Sequence, residues 1–158
     1  MNTDEQILTI PEQVFGLPVT RADGSQSSLN NYRSVKTMIF PKTLREIGES
    51  AFTYSQMEEV EFPEGLISIG ENAFRNSSIK SLHLPSTLET VGLASFCDCK
   101  NLQSVTIPGN LKSVNYSCFS ECYNLRDVTI EEGVEELKSG VFYKTGIRHI
   151  KLPNSMKR

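Results

Sequence analysis

Four cysteines and two histidines are the residues of this chain whose types could do chemistry. Cys97 and Cys99 form a C-x-C pair, and Cys118 and Cys122 a C-x3-C pair. Thiols so placed could hold a metal, close a disulfide or act as a nucleophile. Taken together, the spacing C-x-C…C-x3-C is not one of the common structural zinc spacings. A cysteine nucleophile needs a base within hydrogen-bond reach, and His83 and His149 match no such placement. No glycine-rich loop follows a strand and opens a long helix, so nucleotide binding has no support. No catalytic residue, cofactor or metal ligand is expected, and the reading is not an enzyme.

The elements that position these residues repeat. With Pro85 as origin, Leu88 follows at +3, Val91 at +6, Ser95 at +10, Phe96 at +11 and Cys99 at +14. The same offsets from Pro41 reach Leu44, Ile47, Ala51, Phe52 and Ser55, and from Pro63 they reach Leu66, Ile69, Ala73, Phe74 and Ser77. Pro108 leads to Leu111, Val114, Cys118, Phe119 and Cys122, and Glu131 to Val134, Leu137, Val141, Phe142 and Thr145. The origins 41, 63, 85, 108, 131 and 153 are spaced by 22, 22, 23, 23 and 22 residues. A fixed period of this size predicts a stacked solenoid with one supersecondary unit per repeat. The repeat also accounts for the cysteines as small column residues. A Cys99–Cys122 disulfide and a metal remain the alternatives, and Cys97, at +12, is expected to be the most exposed thiol.

Each unit opens with six residues that are apolar at the first, fourth and sixth positions: VKTMIF, MEEVEF, IKSLHL, LQSVTI, LRDVTI and IRHIKL. That alternation predicts a strand with one buried face, ended in most units by the proline that follows. Stacked coils place the five phenylalanines above one another as a buried column, with the small +10 residues beside it. The stretch from +6 to +14 predicts a helical or 3₁₀ turn, with Gly48, Gly70 and Gly92 easing the backbone where the chain turns over. His83 and His149 fall on strands with two others between them, too far apart for a shared metal or a dyad.

Length and composition bound the rest. One domain of 158 residues can bury a sizeable core. A net charge of −3 gives no pull toward nucleic acid, and no apolar run is long enough to span a bilayer. The amino terminus lacks the features of a secretory signal, which leaves a cytoplasmic protein or one whose leader was removed. Residues 1–34 read as a degenerate amino-terminal cap, with Leu8, Ile10 and Pro11 at the strand junction, Val14 at +3, Leu17 at +6 and a flexible loop near Ala22–Asn31. Residues 35–152 read as about five repeats, and 153–158 as the start of a truncated one.

The pattern LP-x-x-L-x-x-I-G-x-x-A-F-x-x-C-x-x-L over residues 35–153 resembles the BspA-type leucine-rich repeat family. The resemblance implies an α/β leucine-rich repeat right-handed solenoid, with a parallel sheet on one face and short helical or 3₁₀ turns on the other. It also implies a role in adhesion or recognition, secreted or at a cell surface. The asparagine ladder of ordinary leucine-rich repeats would fall at Thr43, Gly65, Thr87, Asn110 and Gly133, where one Asn survives. Ser55, Ser77, Cys99, Cys122 and Thr145 are expected to take over by capping backbone groups inside the turn.

The concave sheet face is the candidate binding surface. Its candidate residues are Glu58, Glu59, Glu61, His83, Thr106, Arg126, Asp127, Thr129, Arg148, His149 and Lys151. They run from acidic through hydroxylic to basic, and Glu58 is expected to pair with Lys36 or Lys80. The expected ligand is a protein, or a glycan, and the alternative is a structural spacer that supports a neighbouring domain. The last strand leaves Ile147, Ile150 and Leu152 without a partner on one side, so the expectation is either that further repeats or a cap follow or that this end packs on another chain, self-association through the carboxy-terminal edge included.

Overall fold

The computed structural model describes residues 7–24 and 34–157. The chain winds as a parallel-sheet solenoid with three walls. The main wall is built from β1 (Ile7–Thr9), β5 (Thr37–Ile39), β7 (Glu59–Glu61), β9 (Ser81–His83), β11 (Ser104–Ile107), β13 (Asp127–Ile130) and β15 (His149–Lys151). Pairing is parallel and in register, so Leu8 lies beside Met38 and Met38 beside Val60, while Leu82, Val105, Val128 and Ile150 continue the row. Between β7 and β9 the wall is joined by the Lys80 N–H donating to Glu58 O at 3.0 Å.

A second wall of two-residue rungs follows each proline corner. It comprises β4 (Arg21–Ala22), β6 (Glu46–Ile47), β8 (Ser68–Ile69), β10 (Thr90–Val91), β12 (Ser113–Val114) and β14 (Glu136–Leu137). Gly48, Gly70 and Gly92 sit just after three of these rungs, and their role differs from the expected one. None has a left-handed φ. A Cβ on Gly70 would lie 2.6 Å from the Glu49 nitrogen, and one on Gly92 would lie 2.6 Å from the Gly70 carbon. Gly70 and Gly92 are there because adjacent coils approach too closely for a side chain, whereas at Gly48 the close neighbour is the Asp23 side chain. Asn115 ends the glycine column, and there the ladder breaks: β10 and β12 belong to separate sheets.

The third wall is made of turns, and it corrects the expectation of helical or 3₁₀ turns. No helix occurs among the described residues. Each coil turns left-handed at +9 and +13: Ser50 and Tyr54, Asn72 and Asn76, Ala94 and Asp98, Ser117 and Glu121, Gly140 and Lys144. Two such residues four apart interrupt any helix and aim alternate N–H groups along the solenoid axis. Phe52 N–H donates to Ala73 O at 2.7 Å, Phe74 N–H to Ser95 O at 2.8 Å and Phe96 N–H to Cys118 O at 3.0 Å. Left-handed φ costs an L-residue roughly 1–2 kcal/mol. The inter-coil bonds offset this by pairing backbone groups that would otherwise be buried and unmet.

Between the walls runs one core. The rings of Phe52, Phe74, Phe96, Phe119 and Phe142 stack with centroids 5.3 to 5.9 Å apart. Ala51, Ala73, Ser95, Cys118 and Val141 are buried beside them. Phe40 and Phe62 form a second short stack that meets the first edge-on.

The first coil departs from the expected register. Ala22 pairs with Ile47, yet it lies 11 residues after Pro11 where Ile47 lies 6 after Pro41. The extra residues form an antiparallel hairpin, β2 (Gln13–Val14) with β3 (Leu17–Pro18). Val14 and Leu17 are therefore exposed rather than core. Of the loop expected over Ala22–Asn31, Ala22 belongs to β4, and residues 25–31 lie outside the described residues.

Candidate interaction surface

Alternation along each main-wall strand turns its middle residue to the core and its flanking residues outward. Glu59 and Glu61 stand exposed on β7, His83 on β9, Asp127 on β13, and His149 and Lys151 on β15. Thr106 and Thr129 are half-buried in the middle of the face. In-register pairing puts Ser104, Asp127 and His149 in one row, and His83, Thr106, Thr129 and Lys151 in the next. Two strands separate His83 from His149.

Some of the candidate charges are committed within the chain. The Glu58 carboxylate bridges Lys36 Nζ, at 2.9 Å, and Lys80 Nζ. The bond from Lys80, then that from Lys36, holds its carboxyl below the usual glutamate range. His149 Nδ1 lies 2.9 Å from Asp127 Oδ1. Arg126 turns away from the face: its Nη1 donates to Gly146 O at 2.8 Å and Tyr123 O at 3.2 Å, tying down the corner before β15. Among the described residues, Glu59, Glu61, Arg148 and Lys151 take part in no ion pair; the two glutamates lie on β7, the third strand of the main wall, and the two cations on or beside β15, its last. An open depression of about 500 Å³ at the basic end is lined by Asp127, Thr129, Arg148, His149 and Lys151.

The thiols are structural. All four are free and buried, including Cys97, which is the least buried of them at 8% exposure. Cys99 Sγ donates to Phe74 O at 3.3 Å, and Cys122 Sγ to Phe96 O at 3.2 Å. Thr145 Oγ1 makes the corresponding bond to Phe142 O within its own coil. Ser77 Oγ instead meets Cys99 Sγ at 3.2 Å, and Ser55 Oγ is buried without a partner among the described residues. Burial pushes the Cys118 and Cys97 thiols up, and the bond to Cys99 together with burial does so for Cys122. No group of three or more metal-ligating side chains occurs among the described residues.

Sequence reasoning overlooked the exposed aromatic residues, which lie off the sheet face. Tyr54, Tyr116, Tyr123 and Tyr143 stand on or beside the turn wall, and Phe15 is fully exposed at the tip of the β2–β3 hairpin. Tyr123 Oη donates to Glu121 Oε2 at 2.8 Å, and Lys144 Nζ sits 5.2 Å over the Tyr143 ring. These positions fall outside the repeated offsets, so periodicity carries no signal for them.

The three-walled coil with its phenylalanine column matches a known profile. The BspA type leucine rich repeat region is recognised in six copies over residues 45–158. The chain belongs to this BspA-type leucine-rich repeat family. Among solved structures, the pneumococcal vaccine antigen PcpA superposes with a TM-score of 0.79 at 23% identity, over 96% of this chain and 41% of that one. A leucine-rich repeat protein from Eubacterium ventriosum gives 0.72 at 20% identity, over 99% of this chain and 38% of that one. The T. pallidum leucine rich repeat protein gives 0.58 at 22%, over 84% and 72%. At these identities the likeness concerns the fold. No curated protein matches the chain in sequence. BspA-type proteins are generally non-enzymatic and typically serve as surface or adhesion modules. No helix among the described residues is long and apolar enough to cross a membrane.

Proposed function

We propose that this BspA-type module binds a protein partner through its main sheet face, as part of a secreted or cell-surface protein. The observation that carries the reading is the placement of unpaired charge: Glu59 and Glu61 on β7, Arg148 and Lys151 at β15, hydroxyl side chains between. The two groups lie four strands apart, roughly 20 Å at ordinary strand spacing. At physiological salt the screening length is about 8 Å, so the two groups act independently. They orient an elongated partner of opposite polarity and speed its encounter more than they tighten the complex. A protein suits the face better than a glycan, because sugar rings stack on exposed aromatic side chains and this face presents none.

The test compares the wild type with Glu59→Lys/Glu61→Lys and Arg148→Glu/Lys151→Glu, at concentrations where each is monomeric. Affinity capture from an extracellular protein mixture should yield partners that both reversals lose. Their association rates should fall, with a flatter dependence on ionic strength. Capture untouched by both reversals, but abolished by Tyr123→Ala/Tyr143→Ala, would move the site to the turn wall. Capture of nothing by any form would leave the module a spacer.

A further inference from the structure

Between its unpaired charges the main face is a narrow strip. The short strands turn two side chains each outward, so the strip is about 10 Å wide, and four strand spacings make it roughly 20 Å long. Its projected area is on the order of 200 Å², far below the ~800 Å² per partner that a standard interface between folded proteins buries.

The floor of the strip is polar and low. One row carries Ser81, Ser104 and Asp127, and the next His83, Thr106 and Thr129. Longer side chains stand exposed on either side of it, Glu59 and Glu61 on β7 and Arg148 and Lys151 at β15. Asp127 Oδ1 is already met by His149 Nδ1 at 2.9 Å. The four hydroxyls make no side-chain hydrogen bond among the described residues. Each can both donate and accept, which suits the C=O and N–H groups of a peptide backbone. No large apolar side chain is exposed on this face between β7 and β15, so an amphipathic helix would find no stripe to bury against.

We propose that the ligand of this face is an extended, unfolded segment of a partner protein that lies across the strands, a reading that rests on the function proposed above. An extended chain advances about 3.3 Å per residue, so about six residues reach from β7 to β15. Basic side chains of the segment meet Glu59 and Glu61, and acidic ones about six positions away meet Arg148 and Lys151. The backbone between them lies over Ser81, Ser104, Thr106 and Thr129. Such a segment loses conformational freedom on binding, which keeps affinity modest, and the spacing of its charges selects it.

Chemical-shift titration of isotope-labelled protein at low ionic strength tests this with capped octapeptides. The first peptide carries two lysines, four alternating serines and threonines, then two glutamates. The second has the same composition with lysine and glutamate alternating. The first should shift the amides of β7 to β15, weaken with added NaCl, and bind at least tenfold tighter than the second. On Glu59→Lys/Glu61→Lys it should lose at least tenfold, and a third peptide with glutamate pairs at both termini should bind that variant better than wild type. Circular dichroism establishes that the variant, altered only at exposed positions, is folded. Equal binding of the first two peptides overturns the inference and leaves the sheet-face reading standing. So does the absence of peptide binding beside capture of folded partners that both charge reversals lose. Shifts confined to the turn wall overturn both readings.

Discussion

Phe74 and Phe96 stack with their centroids 5.4 Å apart and their planes within 2° of parallel, and both are completely buried. They lie at the same offset in consecutive coils, so the contact is the repeat period expressed as packing. Each ring touches one above and one below, and removing one leaves a gap whose neighbours are pinned by backbone bonds between coils.

Phe96→Ala should therefore cost roughly 3–5 kcal/mol, since the walls cannot collapse into the void. Urea denaturation at matched pH and salt checks it. A midpoint equal to wild type would remove Phe96 from the core.

The thiol column should accept oxygen and reject hydrocarbon. Cys99→Ser and Cys122→Ser keep a donor for Phe74 O and Phe96 O, and the double variant should retain its far-ultraviolet circular dichroism. Valine fills the site but removes one of the two donors each carbonyl has, leaving Ser77 N–H on Phe74 O and Cys99 N–H on Phe96 O, which costs about 0.5–1.5 kcal/mol. In the folded wild type all four thiols should resist alkylation at neutral pH, with Cys97 the first to react. Rapid labelling of Cys122 in folded protein would contradict its burial.

Gly92→Ala should destabilise by about 1–3 kcal/mol, the usual cost of overpacking, because the added carbon meets backbone rather than a movable side chain. The coils should part locally. Gly92 N–H, which donates to Ile69 O at 2.8 Å, should exchange its hydrogen faster. An unchanged exchange rate there would mean the second wall tolerates a side chain after all.

The Lys36–Glu58–Lys80 bridge should depend on pH in one direction. The folded Glu58 carboxyl titrates below its unfolded value, held down by the bonds from Lys80 and Lys36. Its contribution is thus present above the unfolded value near 4.3 and is lost as the pH falls through the lower, folded one. Glu58→Gln should be less stable than wild type at pH 7, and the difference should vanish once the pH has fallen through the folded value and shrink in high salt. A difference that persisted in acid would point to a packing role instead.

Residue spacing alone determined the solenoid, its main strands, the phenylalanine column, the small residues beside it and the family. A period of 22 or 23 leaves one way to stack like on like, and burial then selects the same side chain type at every turn. Tertiary structure decided what residue type does not encode. Ala94 and Glu121 have little intrinsic preference for left-handed φ, yet they adopt it because the next coil's carbonyls, those of Tyr116 and Tyr143, must be met. Gly70 and Gly92 suggest a bend in the chain, and only the approach of the neighbouring coil shows that they make room for it. Arg126 reads as a surface cation until the corner carbonyls of Tyr123 and Gly146 claim it. Val14 and Leu17 keep the apolar spacing of a core, but the hairpin turns them outward. In each case the deciding contact lies some 20 residues or more away in the chain, or in a local pairing that spacing does not distinguish from the repeat.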